Sequence, residues 1–337
     1  MTGNGYFDIS VGLIKVGAIL MSIMISFWNE AARIAMSYLT INPANTNVSG
    51  LSTAWSYVSE GTVWSVANTI AVAAMILFFC IGWLKQAIDI HMEMTIENVF
   101  RIFARVALTL AIVTNCMAIA TSILSISTAA TTRLGANYQD LVIEDKNANK
   151  EFGVFQEIYE DALKEYQEKI ENEDITITVE AQGPDDLSPE TEEDKAFQSI
   201  LLTGFICCIG GAIGGLTILV CGIELIMTVM SRFFRIFICI PLAPTAFASF
   251  AGGETFNQTG KTWIKNFIAY NAEAIVIALA VTLAFRMFSS MSVAASGNID
   301  DLYIETVLHI VEMVIPMVTA LGCARGADRI LQRALGI

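Results

Sequence analysis

Long apolar runs separated by short polar stretches set the pattern of this chain. A helix needs about 20 predominantly apolar residues to cross the hydrocarbon core of a bilayer. Residues 63–84 meet that length without a single charged side chain, and Lys85 closes the run. Residues 102–126 form another run, opened by Arg101 and carrying Arg105. Residues 197–230, 263–287 and 302–321 follow in the second half. The first run, 9–28, holds Lys15 and is followed by Glu30 and Arg33. It either crosses the membrane or lies along its surface as one helix reaching Tyr38; crossing is the reading adopted.

Polar stretches punctuate these runs. Residues 42–60 are rich in Asn, Ser and Thr and read as a loop with short helical pieces. Residues 86–100 form a connector with Asp89, His91, Glu93 and Glu97. The stretch 231–250 is different. Arg232 and Arg235 lead into an apolar run interrupted by Pro241 and Pro244, with Lys261 and Lys265 beyond it. Two prolines argue against a straight helix, and basic residues at both ends argue against a crossing. The expectation is a Pro-broken re-entrant or interfacial hairpin, which must be buried in protein or line a cavity.

The pattern predicts an all-α, polytopic helical membrane protein with five to six transmembrane helices. Its parts are an N-terminal membrane region (1–135), an acidic insert (136–196), a C-terminal membrane region (197–324) and a basic tail (325–337). Within the insert, Phe155, Ile158, Tyr159, Ala162, Leu163, Tyr166 and Ile170 recur at helical spacing. Glu160 with Lys164 and Glu165 with Lys169 add i,i+4 pairs in the favourable orientation. Residues 175–180 alternate like a short strand, and 182–193 read as a linker. The insert is either a solvated loop or a small module whose apolar stripe docks on a partner.

Composition agrees with the pattern: 55% of the 337 residues are hydrophobic and 15% charged, where soluble domains carry about 25% charge. Charge adds something the pattern does not show. Residues 140–195 hold 19 acidic and 5 basic residues, a net of −14, which equals the whole formal charge of the chain. Such a surface repels nucleic acid, while the neutral remainder leaves a local basic contact open. Arg325, Arg329 and Arg333 mark the tail as cytoplasmic under the positive-inside rule. Working backwards, the insert falls outside. The count is six spans with the N-terminus inside, or five if the first run is interfacial. The setting is the plasma membrane.

Candidate chemistry is sparse. Gly210, Gly211, Gly214 and Gly215 satisfy small-xxx-small spacing twice, which lets helix backbones approach closely in lipid. Glu224, Glu273 and Glu312 lie inside apolar runs, where a carboxylate faces the bundle interior, pairs, or lines a water path. His309 and Glu312 share a helical face, with Glu305 one turn earlier. These acids serve a proton or ion relay, or they hydrogen-bond between helices. The two histidines, His91 and His309, sit in different segments and make no metal site. The seven cysteines lie in or beside apolar runs, without zinc or disulfide spacing. No nucleophile-elbow, zinc-protease, phosphate-loop or dinucleotide glycine pattern is present. No enzyme and no cofactor is expected.

The combination of a Gly-rich span, the Arg232–Arg235–Pro241–Pro244 segment, two further spans and a basic tail resembles the TrbL/VirB6-like membrane proteins of conjugative type IV secretion systems, those of Gram-positive elements most. The similarity is one of pattern from Val63 to Arg333. It implies a structural component of a DNA-transfer channel in the cell membrane. Implied partners are other type IV secretion subunits, including VirB4-type and coupling ATPases. A homo-oligomer and direct DNA contact stay open. A secondary transporter or ion-coupled permease is the alternative, resting on the broken segment and on Glu273 and Glu312.

Overall fold

The computed structural model describes residues 3–45, 47–88, 96–135, 155–156, 158–160, 163–164, 167, 192–253, 256–290 and 302–336. Eight helices carry most of them: α1 (Gly3–Leu39), α2 (Ser49–Ser59), α3 (Thr62–Ile88), α4 (Ile96–Thr114), α5 (Cys116–Gly135), α6 (Glu192–Ala248), α7 (Asn257–Ser290) and α8 (Leu302–Leu335). Five stretches are long and apolar enough to cross a membrane: Ile9–Leu39, Ser49–Lys85, Leu201–Gly252, Asn257–Arg286 and Thr306–Leu335. The pair Val99–Thr114 and Cys116–Leu134, bent by 58°, makes a sixth when counted as one. The chain is an all-α, multi-span membrane protein.

Two compact units share it. The first combines Met1–Arg33, Gln139–Leu225 and Thr282–Leu321; the second combines Ile34–Tyr138, Ile226–Val281 and Gly322–Ile337.

In the first unit, glycines let α1 lie against α6. Gly204 faces Ser10, Gly211 faces Gly17, Gly214 faces Met21, and Gly222 faces Phe27 and Ala31. Partner numbers rise together, so the two helices are parallel. Gly210 and Gly214 also meet Ile310, and Gly214 meets Val314, on α8. This corrects the six-span scheme with its N-terminus inside, which requires α1 and α6 to be antiparallel. The first run is among the stretches long and apolar enough to cross a membrane, and Ile14, Ala18, Met21, Ile25 and Trp28 are buried along one side of it. Charge counting missed the direction because α1 has one lysine near its start and a self-paired Arg33–Glu30 near its end. Phe155 and Ile158 of the acidic insert are also buried in this unit. That part of the apolar stripe is covered by the chain itself. The strand-like stretch and residues 182–191 of the linker lie outside the described residues, as do Asp89, His91 and Glu93, while Glu192 and Glu193 open α6.

The second unit packs around a helical hairpin. α6 and α7 run antiparallel: Arg232 meets Tyr270, Trp263 Nε1 donates to the Cys239 carbonyl at 3.0 Å, and Ser249 Oγ accepts from the Gly260 N–H at 3.2 Å. The expected Pro-broken hairpin is corrected here. α6 continues through Pro241 and Pro244 to Ala248, and the reversal falls at Gly253, whose φ of 85° suits glycine. A proline removes one helix hydrogen bond, but packing by neighbouring helices keeps such a turn helical in membrane proteins. Ile236, Ile240, Ala243 and Phe247 supply that packing, buried with Trp263 and Phe267. Trp263 stacks on Phe267 at 4.9 Å and meets Phe247 edge-on at 5.0 Å.

The break comes instead at Asn115, between α4 and α5. Thr114 Oγ1 donates to the Leu110 and Ala111 carbonyls, and Asn115 Nδ2 donates to Ala111 O at 2.8 Å. Side chains competing for helix carbonyls bend a helix. The basic tail is the end of α8, which runs from Leu302 through Pro316 to Leu335.

Candidate functional site

Arg232, Arg235, Glu273 and Asp328 converge in the second unit. α6 places Arg232 and Arg235 one turn apart; α7 contributes Tyr270, Asn271 and Glu273; α8 contributes Asp328. Arg232 is 1% exposed, and so is Glu273. Arg235 Nη1 lies 3.2 Å from Glu273 Oε2 and 3.1 Å from Asp328 Oδ2. Its Nη2 reaches Ser231 Oγ at 3.4 Å, and its guanidinium sits 5.8 Å from the Tyr270 ring centroid. Arg232 Nε donates to the Tyr270 carbonyl at 3.2 Å. Its charge also lies 5.4 Å from the Phe233 ring centroid.

Two arginines and two carboxylates make the group neutral, which is what a dry interior demands of buried charge. Hydrogen bonds extend it. Gln332 Nε2 donates to Asp328 at 2.9 Å, Asn271 Nδ2 donates to Phe267 O at 2.7 Å, and Ser127 Oγ on α5 donates to Asn271 O at 2.6 Å. Two polar atoms in this neighbourhood, Arg232 Nη1 and Asn271 Oδ1, are buried without a hydrogen-bond partner among the described residues.

The sequence-predicted residues divide between the two units. Arg232, Arg235 and Glu273 come together; Pro241 and Pro244 lie farther along α6, within its helix. Gly210, Gly211, Gly214 and Gly215 form the packing seam of the first unit. His309 and Glu312 are half-buried on α8 in that unit, and the Phe155 ring lies 6.5 Å from the His309 ring. Glu273 belongs to the second unit. Among the described residues no group of three or more His, Cys, Asp or Glu side chains is placed to hold a metal ion.

Asp328 was missed from the sequence. Its signal is that it is the one acidic residue in the tail 325–337, and a lone acid amid arginines does not say which charge it meets. Gly17 was missed too. A Cβ there would collide with the Cys207 carbonyl, yet a single glycine in an apolar run carries no spacing signal.

Comparison with protein families, curated proteins and solved structures found no match to this chain. The resemblance drawn from sequence pattern is corrected accordingly. The descriptions conjugation, type IV secretion, TrbL/VirB6-like and DNA transfer have no match behind them. Membrane and transmembrane stand, on the apolar helices.

Proposed function

We propose that this chain is a structural, non-catalytic subunit of a larger channel-type assembly in the cytoplasmic membrane. The observation that carries the reading is the exposed apolar surface of α6 within Leu201–Gly252, one of the stretches long and apolar enough to cross a membrane. Large apolar side chains are exposed along the whole stretch, among them Phe205, Ile213, Val220, Met227, Phe234 and Leu242. Lipid accounts for part of that surface, and neighbouring subunits account for the rest.

The ionic cluster supports a structural role. A carrier keeps its membrane carboxylates available for a coupling ion, whereas Glu273 is held by Arg235 in a neutral group. The polar ends fit one orientation: Lys265 Nζ donates to the Gly336 carbonyl at 3.4 Å, gathering the basic ends of α7 and α8. On the positive-inside rule this end is cytoplasmic. Other membrane subunits and the ATPases that energise the assembly are the expected partners.

The test is in-cell crosslinking of the tagged chain at native expression, followed by detergent extraction and mass spectrometry. A defined complex with further membrane subunits and an ATPase in fixed ratio is expected. A lone 36.6 kDa species that drives ion-coupled solute uptake in liposomes overturns the reading in favour of a permease.

A further inference from the structure

The second unit also holds a cleft of about 450 Å³, within the size range of small-molecule sites. It lies between the short turn Pro43–Asn45, the end of α2 and the start of α5. Its charge is one-sided: Glu60 is the one ionisable side chain in the lining, which also holds the amides of Asn42 and Asn45. On α5, Thr121 and Ser122 both donate their hydroxyls to the Ala118 carbonyl, and Ser125 donates to the Ser122 carbonyl. A serine or threonine that donates to its own helix keeps its lone pairs for an outside donor. Three acceptors therefore line the α5 wall.

The α2 wall adds a carboxylate, Glu60, which is exposed at the rim, and beside it Ser59. Ser59 is 8% exposed, and its hydroxyl is buried without a hydrogen-bond partner among the described residues. A buried hydroxyl left so is costly unless something in the cleft satisfies it. Trp55 and Met117 supply apolar wall, and no lysine or arginine lines the cleft.

We propose that this cleft binds a primary ammonium group carried on a small organic body. The ammonium has three donors and no acceptor, the complement of a carboxylate and three outward lone pairs. Its positive charge is balanced by Glu60. The organic body packs on Trp55 and Met117, and the Ser59 hydroxyl takes a polar substituent of that body. Anions are disfavoured, because Glu60 repels a phosphate or carboxylate and no lysine or arginine in the lining offsets that charge. A quaternary ammonium has the charge but no N–H to give. The ammonium belongs either to a free amine or to an ethanolamine-type lipid headgroup.

The test is ligand-observed NMR titration of the purified full chain in detergent with butylammonium, tetramethylammonium, 1-butanol and butyrate. Saturable binding of butylammonium is expected, about tenfold tighter than the other three, as one charge-assisted hydrogen-bond set would give. Glu60→Gln weakens it about tenfold, and Ser125→Ala weakens it less, with both variants eluting as wild type on gel filtration. Equal binding of butyrate or 1-butanol, or an unchanged affinity in both variants, overturns the proposal. Nanodiscs separate the sources. Competition by ethanolamine-headgroup lipid but not choline-headgroup lipid assigns the site to lipid, and absence of competition by either assigns it to a free amine.

Discussion

Arg235 Nη1 stands 3.2 Å from Glu273 Oε2 across the α6–α7 hairpin and 3.1 Å from Asp328 Oδ2 on α8. One guanidinium thus ties three helices. Removing one partner of a buried pair leaves the other charge without compensation and costs about 3 kcal/mol. Glu273→Gln is therefore expected to lower the unfolding temperature in detergent markedly. Asp328 is more exposed than Glu273, so Asp328→Asn costs under about 1 kcal/mol. Equal melting of Glu273→Gln and wild type would show that the pair does not hold the hairpin.

The four seam glycines are not equivalent. A Cβ on Gly211 would lie 2.6 Å from the Gly17 carbonyl oxygen, against rigid backbone. A Cβ on Gly210 would meet the Cδ1 end of Ile310, which can rotate away. Gly211→Ala is expected to destabilise by about 2 kcal/mol, in the range of overpacked cores, and Gly210→Ala by much less. Matched thermal unfolding of the two variants is the measurement, and equal losses would contradict the seam geometry.

Helix direction is directly testable. The parallel pairing of α1 and α6 places Met21 beside Gly214 and Met24 beside Gly215. In a background lacking the native cysteines, M24C/G215C, whose Cβ atoms would lie 3.5 Å apart, should form a disulfide in membranes under mild oxidation. The pair M21C/G222C should not. The reverse result would restore an antiparallel first span.

At the hairpin turn, Gly253 has φ 85° and ψ −165°, a region open essentially to glycine alone. An added Cβ would also lie 2.8 Å from Arg105 Nη1. Gly253→Ala is expected to cost about 2 kcal/mol, read as a lowered melting temperature. Gly326→Ala on α8, where a Cβ meets open space, is the control and should leave stability unchanged or slightly raised.

Much of the architecture was legible in the chain. Apolar runs such as 63–84 and 263–287 demanded helices because lipid offers no partner for a free backbone amide. The clustered glycines of 210–215 announced a close helix approach, and Arg232, Arg235 and Glu273 stood out as charges that had to be paired. The bend was read at the wrong place. Pro241 and Pro244 are strong local signals, but packing of Ile240, Ala243 and Phe247 overrode them. The weaker signals of Thr114 and Asn115, competing for carbonyls of their own helix, decided the actual break.

The sequence by itself determined that this is a helical membrane protein with its excess negative charge in one insert, since hydropathy and charge are sums over local residues. Only the tertiary structure decided that α1 runs parallel to α6, that Asp328 joins Arg235 and Glu273, and that Ser59 and Ser125 share a cleft. Each of those facts concerns residues far apart in the chain. Their distances depend on how helices pack side against side, and no local pattern encodes that.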